Sequence, residues 1–186
     1  CRHTHPAIDA ARKLRRQVAA AAIAQVEVET YAAALEVCDR PLPQSDYEAK
    51  FSLQHCVAAA LTRESMNFDA FAEPARTGLA ALRERVTLRL AEPYASAYPH
   101  AWGSAVTVIT HDGERLTMQR THAKGDPEAP LSPVELIAKA RMLMSYGGVH
   151  EADRLIDAIL ALSDDSALPP LPEPPVFLAV QQNNGG

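Results

Sequence analysis

Four residues in two short segments carry the chemistry worth considering: Thr4 and His5 in one, Lys50 and His55 in the other. His5 stands before Pro6 at the head of a helical pattern in which Ile8, Ala11, Val18 and Ala22 recur at helical spacing. Thr4 or His5 is placed to cap that helix, and proline is welcome in its first turn. A helix start presents free backbone N–H groups and the positive end of the helix dipole, so an anion is favoured there. His55 falls in the first turn of a second helix, three residues after the capping Ser52, with Leu53, Cys56, Val57, Ala60 and Leu61 on one stripe. Imidazole titrates near neutrality, which suits it to moving protons. Lys50, just ahead of that helix, offers a cation to a carboxylate. The combination is suited to acid/base chemistry on a small anion. Structural readings stand beside it: a capping His5, a His55 packed against the preceding connection, and a solvated Lys50. Asp9, one turn after His5, either orients that imidazole or serves as helix-capping charge.

Other chemistries are poorly served. His3 and His5 have H-x-H spacing but no third ligand nearby, so no metal is expected. Cys1, Cys38 and Cys56 form no C-x-x-C pair, which disfavours zinc and thioredoxin-like readings. Reduced thiols in a cytoplasmic protein are the simplest account. Net charge is −5, from 18 basic and 23 acidic residues without a basic run, so neither nucleic acid nor an anionic membrane is expected as a partner. Charges interrupt every apolar stretch before membrane-spanning length. Residues 14–24 imitate a signal peptide only loosely and read better as amphipathic helix. Gly125-Asp126-Pro127 is a turn and not a phosphate loop, since no Gly-Lys-Ser/Thr follows. His100, His111 and His122 read as sheet or loop surface, and Trp102-Gly103 as packing and turn chemistry. The start at Cys1 reads as that of a fragment.

The elements that must position these residues follow from periodicity. Residues 24–30 alternate as a strand, with Val26 and Val28 on one face and Glu27 and Glu29 on the other. A proline-rich connection runs from Arg40-Pro41 to Ala49. A helix is expected over 74–85 and a strand over 86–90. Two strands, 105–110 and 114–121, flank Asp112-Gly113, a two-residue hairpin signal of type I′. Ser132, Pro133 and Glu135 open a helix with a capping box, Gly147-Gly148 stops it, and a last helix carries Leu155, Ile156 and Ile159. The prediction is an α+β fold: about four mostly antiparallel strands, helices on one face, and two C-terminal helices. It divides into a domain over 1–131, helices over 132–167, and a proline-rich extended or disordered tail over 168–186.

Four segments in order carry a family resemblance: Cys1-Arg2-His3-Thr4-His5-Pro6-Ala7-Ile8-Asp9-Ala10; Glu48-Ala49-Lys50-Phe51-Ser52-Leu53-Gln54-His55-Cys56-Val57-Ala58, preceded by Arg40-Pro41; the Asp112-Gly113 hairpin; and Gly125-Asp126-Pro127-Glu128-Ala129-Pro130-Leu131-Ser132. The series resembles the C-terminal portion of the MmgE/PrpD family, which includes 2-methylcitrate dehydratase, cis-aconitate decarboxylase and iminodisuccinate epimerase. The resemblance implies a cofactor-independent lyase or isomerase acting on a di- or tricarboxylate. It also implies an all-helical N-terminal half, absent here, against which the final helices pack, and a homodimer formed through that half. His5 and His55 become the catalytic pair, and Lys50 and Thr4 the substrate-binding pair. At His55 the family often has tyrosine, so a tyrosine-specific role does not carry over. Two neighbouring helix starts are expected to aim both imidazoles into one anion-attracting hollow. Dehydration, decarboxylation and epimerisation all remain open, as does a free-standing α+β binding module without catalysis.

Overall fold

Strand β1 (Ile23–Thr30) sits inside the sheet and buries Val26 and Val28 while turning Glu27 and Glu29 outward. In the computed structural model, which describes residues 1–163, it pairs in parallel with β2 (Val86–Leu90) and antiparallel with β3 (Ser104–Thr110). β3 in turn pairs antiparallel with β4 (Arg115–Arg120), giving the order β2-β1-β3-β4. The fold is therefore α+β with a four-stranded mixed sheet, two of its three pairings antiparallel. The register opposes Glu27 to Thr107 and Glu29 to Arg89. On that outward face Glu29 pairs with Arg89, and Glu27 with Arg115 at 2.8 Å.

Helix α1 (His5–Leu14) buries Ala7, Ala10, Ala11 and Leu14 against β3, β4 and helix α4 (Leu53–Thr62). Alanines at i, i+3 and i+4 let its backbone come close to the sheet, and Leu14 at i+7 completes the buried stripe. α1 ends at Leu14 and not near Ala22: Arg16 and Gln17 bond back three residues, to Lys13 and Leu14, tightening the last turn before β1. α4 is the central helix, and nine of its ten residues are buried. The stripe read from its sequence thus becomes burial all round, as expected of a helix covered on every side.

Between β1 and α4 lie two short helices where the sequence suggested only a connection. α2 (Ala32–Cys38) follows Tyr31, which caps it without a side-chain bond, so no polar N-cap signals it. α3 (Asp46–Ala49) starts at Ser45, whose hydroxyl accepts from the Glu48 N–H. The expected helix at 74–85 is two pieces, α5 (Glu73–Gly78) and α6 (Ala80–Arg83). A further short helix, α7 (Tyr94–Ala97), precedes β3.

The β3–β4 hairpin turns differently from the expectation. Asp112 does not take positive φ, whereas Gly113 has φ of +88°. The Gly113 N–H bonds to the Thr110 carbonyl, and the Thr110 N–H to the Glu114 carbonyl. This is a three-residue loop with glycine in the left-handed position, not the type I′ turn, which needs positive φ at both central residues.

Compactness divides the chain into two units, Cys1–Pro130 and Leu131–Gly186. In the second, α8 (Pro133–Tyr146) opens with a capping box from Ser132 and Glu135 and ends at Gly147, with Gly148 at φ of +79°. α9 (Ala152–Leu160) follows, and the Arg141–Asp153 ion pair at 2.6 Å links the two helices. α9 buries Ala152 and Ile156 and leaves Ile159 and Leu160 exposed. α8 buries no residue and exposes Val134, Leu136 and Tyr146. The tail expected over 168–186 lies outside the described residues.

Candidate functional site

The starts of α1 and α4 are neighbours. Thr4 is buried, its hydroxyl donating to the Cys1 carbonyl at 2.8 Å, and its side chain lies near Cys56 in the first turn of α4. Ser52 caps α4 by accepting from the His55 N–H at 3.0 Å. The positive ends of two helices of about ten residues therefore lie side by side, the arrangement that favours an anion.

The two histidines at these starts have opposite environments. His5 is exposed in the first turn of α1. His55 is fully buried, and its Nε2 lies 2.8 Å from the Ala70 carbonyl. A carbonyl only accepts, so Nε2 carries the proton and Nδ1 is the bare acceptor; that Nδ1 is buried without a partner. Burial lowers the His55 pKa, the Ala70 bond opposes this, and Arg83, Arg76 and Arg63 lower it further. The ring is thus held neutral. The expected hollow shared by both imidazoles is not what burial describes: one ring lies in the core and the other at the surface.

What His55 holds is a short turn. Ala70 closes the short turn Phe68–Ala70, and the Phe68 ring centre lies 6.0 Å from Lys50 Nζ. Lys50 itself caps the end of α3 and is half-buried. Asp9 Oδ2 accepts the backbone N–H of Lys124 at 2.8 Å. That bond ties α1 to the turn after β4.

A second cluster beside the α1 start escaped the sequence reading. Arg2 pairs with Asp126 at 2.9 Å and lies over the Trp102 ring at 4.2 Å from its centre. His3 stacks on the same indole at 4.6 Å and shares a 2.8 Å hydrogen bond with the Tyr31 hydroxyl. Tyr31 stacks on Tyr98 at 4.5 Å. Burial lowers the His3 pKa, helped by Arg2, and raises that of Tyr31. The Arg2 side chain holds the Asp126 carboxyl below its ordinary value. Arg2 and Asp126 thus pin the first motif segment to the fourth. The signal available in sequence was the aromatic content of 94–102 near the strand start, but only the fold shows what it meets.

One group of side chains could approach a metal ion. His122, Asp126 and Glu128 bring ligand atoms within 4.8 Å of one another. Asp126, however, is already taken up by Arg2 and the Ala123 N–H, and the adjacent guanidinium opposes a cation.

The MmgE/PrpD C-terminal domain model matches residues 1–164. A comparison with curated proteins gives no match. No helix among the described residues is long and apolar enough to cross a membrane.

Proposed function

The chain belongs to the MmgE/PrpD family as a C-terminal domain, and from that premise we propose that it forms one wall of a lyase or isomerase site for a small di- or tricarboxylic acid. The reaction is proton chemistry at carbon next to a carboxylate, by dehydration, decarboxylation or epimerisation, without a cofactor. The observation that carries this reading is the packing of α1 against α4 with an exposed histidine in the first turn of α1.

Such a reaction needs a positioned acid/base and fixed positive potential for developing negative charge. His5 is the group proposed for the first role, since it is accessible and sits where an anion is favoured. Lys50 is proposed to neutralise a substrate carboxylate. Thr4 is buried, so its proposed part is to set the α1 start against α4 rather than to contact substrate at its present depth. His55 is proposed as a positioning residue: through Ala70 it holds the turn that sets Phe68 beside Lys50.

The opposite wall is proposed to be an all-helical half, on the same polypeptide or another, and the apolar side chains of α8 and α9 are proposed to pack on it. A homodimer through that half and a cytoplasmic location belong to the same proposal. The test is turnover of 2-methylcitrate, cis-aconitate and iminodisuccinate, by the chain alone and joined to a helical half. We expect none from the chain alone, turnover from the pair, and a loss of roughly 10²–10⁴-fold on His5→Ala. Appreciable turnover by the chain alone, or an unimpaired His5→Ala pair, overturns the reading.

A further inference from the structure

Three cysteines that stand far apart in sequence converge around the start of α1. Cys1 Sγ lies 3.5 Å from Cys38 Sγ. Cys38, the last residue of α2, is fully buried, while Cys1 remains partly open. Cys56 is fully buried in α4, its thiol directed at the Ala49 carbonyl at 3.6 Å. None of the proposed proton chemistry uses these sulfurs.

We propose that Cys1 and Cys38 are an oxidation site that closes to an intramolecular disulfide on reaction with a low-molecular-weight disulfide. The sulfurs already touch, and an S–S bond of about 2.05 Å needs closure by only about 1.5 Å, within reach of side-chain rotation. The fold supplies this proximity, because 37 positions separate the two residues in sequence. Access assigns the order of steps. The partly open Cys1 thiolate attacks a sulfur of the small disulfide, whose S–S bond breaks, and one small thiolate leaves and takes a proton. Cys38, as thiolate, then attacks Cys1 Sγ, breaking the mixed disulfide and releasing the second small thiol. Two protein thiols are oxidised, and one small disulfide is reduced to two thiols. Burial, and next to it the neighbouring Cys56, pushes the Cys38 thiol up to about 11, so closure is slow at neutral pH and accelerates in base as the thiolate fraction grows. Reversible closure of this kind is the usual form of a disulfide in a reducing compartment.

The bond would fix the segment that caps α1. The Cys1 carbonyl receives the Thr4 hydroxyl, and His5 follows directly, so tying Cys1 to α2 sets the approach of both. The disulfide itself does not rest on the proposed reaction, and its test reads sulfur only. The full chain is incubated with oxidised glutathione, quenched with an alkylating agent, unfolded, alkylated again and digested with trypsin without reduction. We expect the peptide ending at Arg2 joined to residues 17–50, with Cys56 alkylated in residues 51–63. Cys38→Ser should stop at glutathione on Cys1, and Cys56→Ser should still form the link. Glutathione left on Cys1 with Cys38 alkylated in the unaltered chain, a link to Cys56, or three alkylated thiols would each overturn the proposal.

Discussion

Replacing His55 by glutamine should flatten the fall of stability with acid. The His55 side chain is fully buried, and its Nε2–H donates to the Ala70 carbonyl at 2.8 Å. Glutamine places an amide N–H near the same point but does not titrate. In the folded protein burial lowers the His55 pKa below the ordinary 6.5. The unfolded chain therefore takes up a proton near pH 6.5 while the folded one does not. The sign follows: stability is fully present above the unfolded pKa and is lost as pH falls below it, towards the folded pKa. Within that window the limiting slope is about 1.4 kcal/mol per pH unit for one group. Between pH 6.5 and 5.5, with the unfolded imidazole already half protonated at the start, the unaltered chain should thus lose up to about 1 kcal/mol more than His55→Gln, or about 2–4 °C in Tm for a protein of this size. His3, also lowered by burial, contributes with the same sign in both proteins and cancels in the difference. Urea or thermal unfolding at half-unit steps from pH 5 to 8 measures it. Parallel profiles for the two proteins would refute the reasoning, because they would mean His55 titrates alike in both states.

Three other outcomes are expected. Gly103→Ala should destabilise by about 1–3 kcal/mol, as overpacking does, since a Cβ there would meet Tyr94 Cδ1 at 2.7 Å and the Arg120 carbonyl at 3.0 Å; urea unfolding reads this. Asp126→Ala removes the Arg2 pair and the acceptor for the Ala123 N–H, so a loss of about 1–3 kcal/mol is expected, with tryptophan fluorescence shifting as Arg2 is freed over Trp102. Ser132→Ala, which breaks the α8 capping box, should cost that helix about 0.5–2 kcal/mol, seen as faster amide exchange in residues 134–136.

Local patterning made much of the fold legible. The alternation of Val26 and Val28 with Glu27 and Glu29 gave β1 and its faces directly. The partners of those glutamates, Arg115 and Arg89, depend on strand order and register, which no local pattern encodes. α2 is hidden because Tyr31 gives it no polar cap, whereas Ser45 and Glu48 do signal α3, within a connection whose prolines mask so short a helix. At the site, the helix starts at Pro6 and Ser52 were readable from capping chemistry. The depth of His55 was not, because polar Gln54 and His55 made a fully covered helix look amphipathic. Gln54 is satisfied by Asp39 at 2.6 Å and by the Arg40 N–H, contacts that only the fold creates. The Arg2–Asp126 and His3–Tyr31 pairs and the cysteine cluster share that origin.

In the proposed reaction His5 handles a proton of a bound polycarboxylate. This role is tested most directly by following deuterium from D₂O into carbon beside a carboxylate, with the chain joined to a helical half. Incorporation into at least one of 2-methylcitrate, cis-aconitate product or iminodisuccinate is expected, reduced by roughly 100-fold or more in His5→Ala. Incorporation by His5→Ala at the unaltered rate would contradict it.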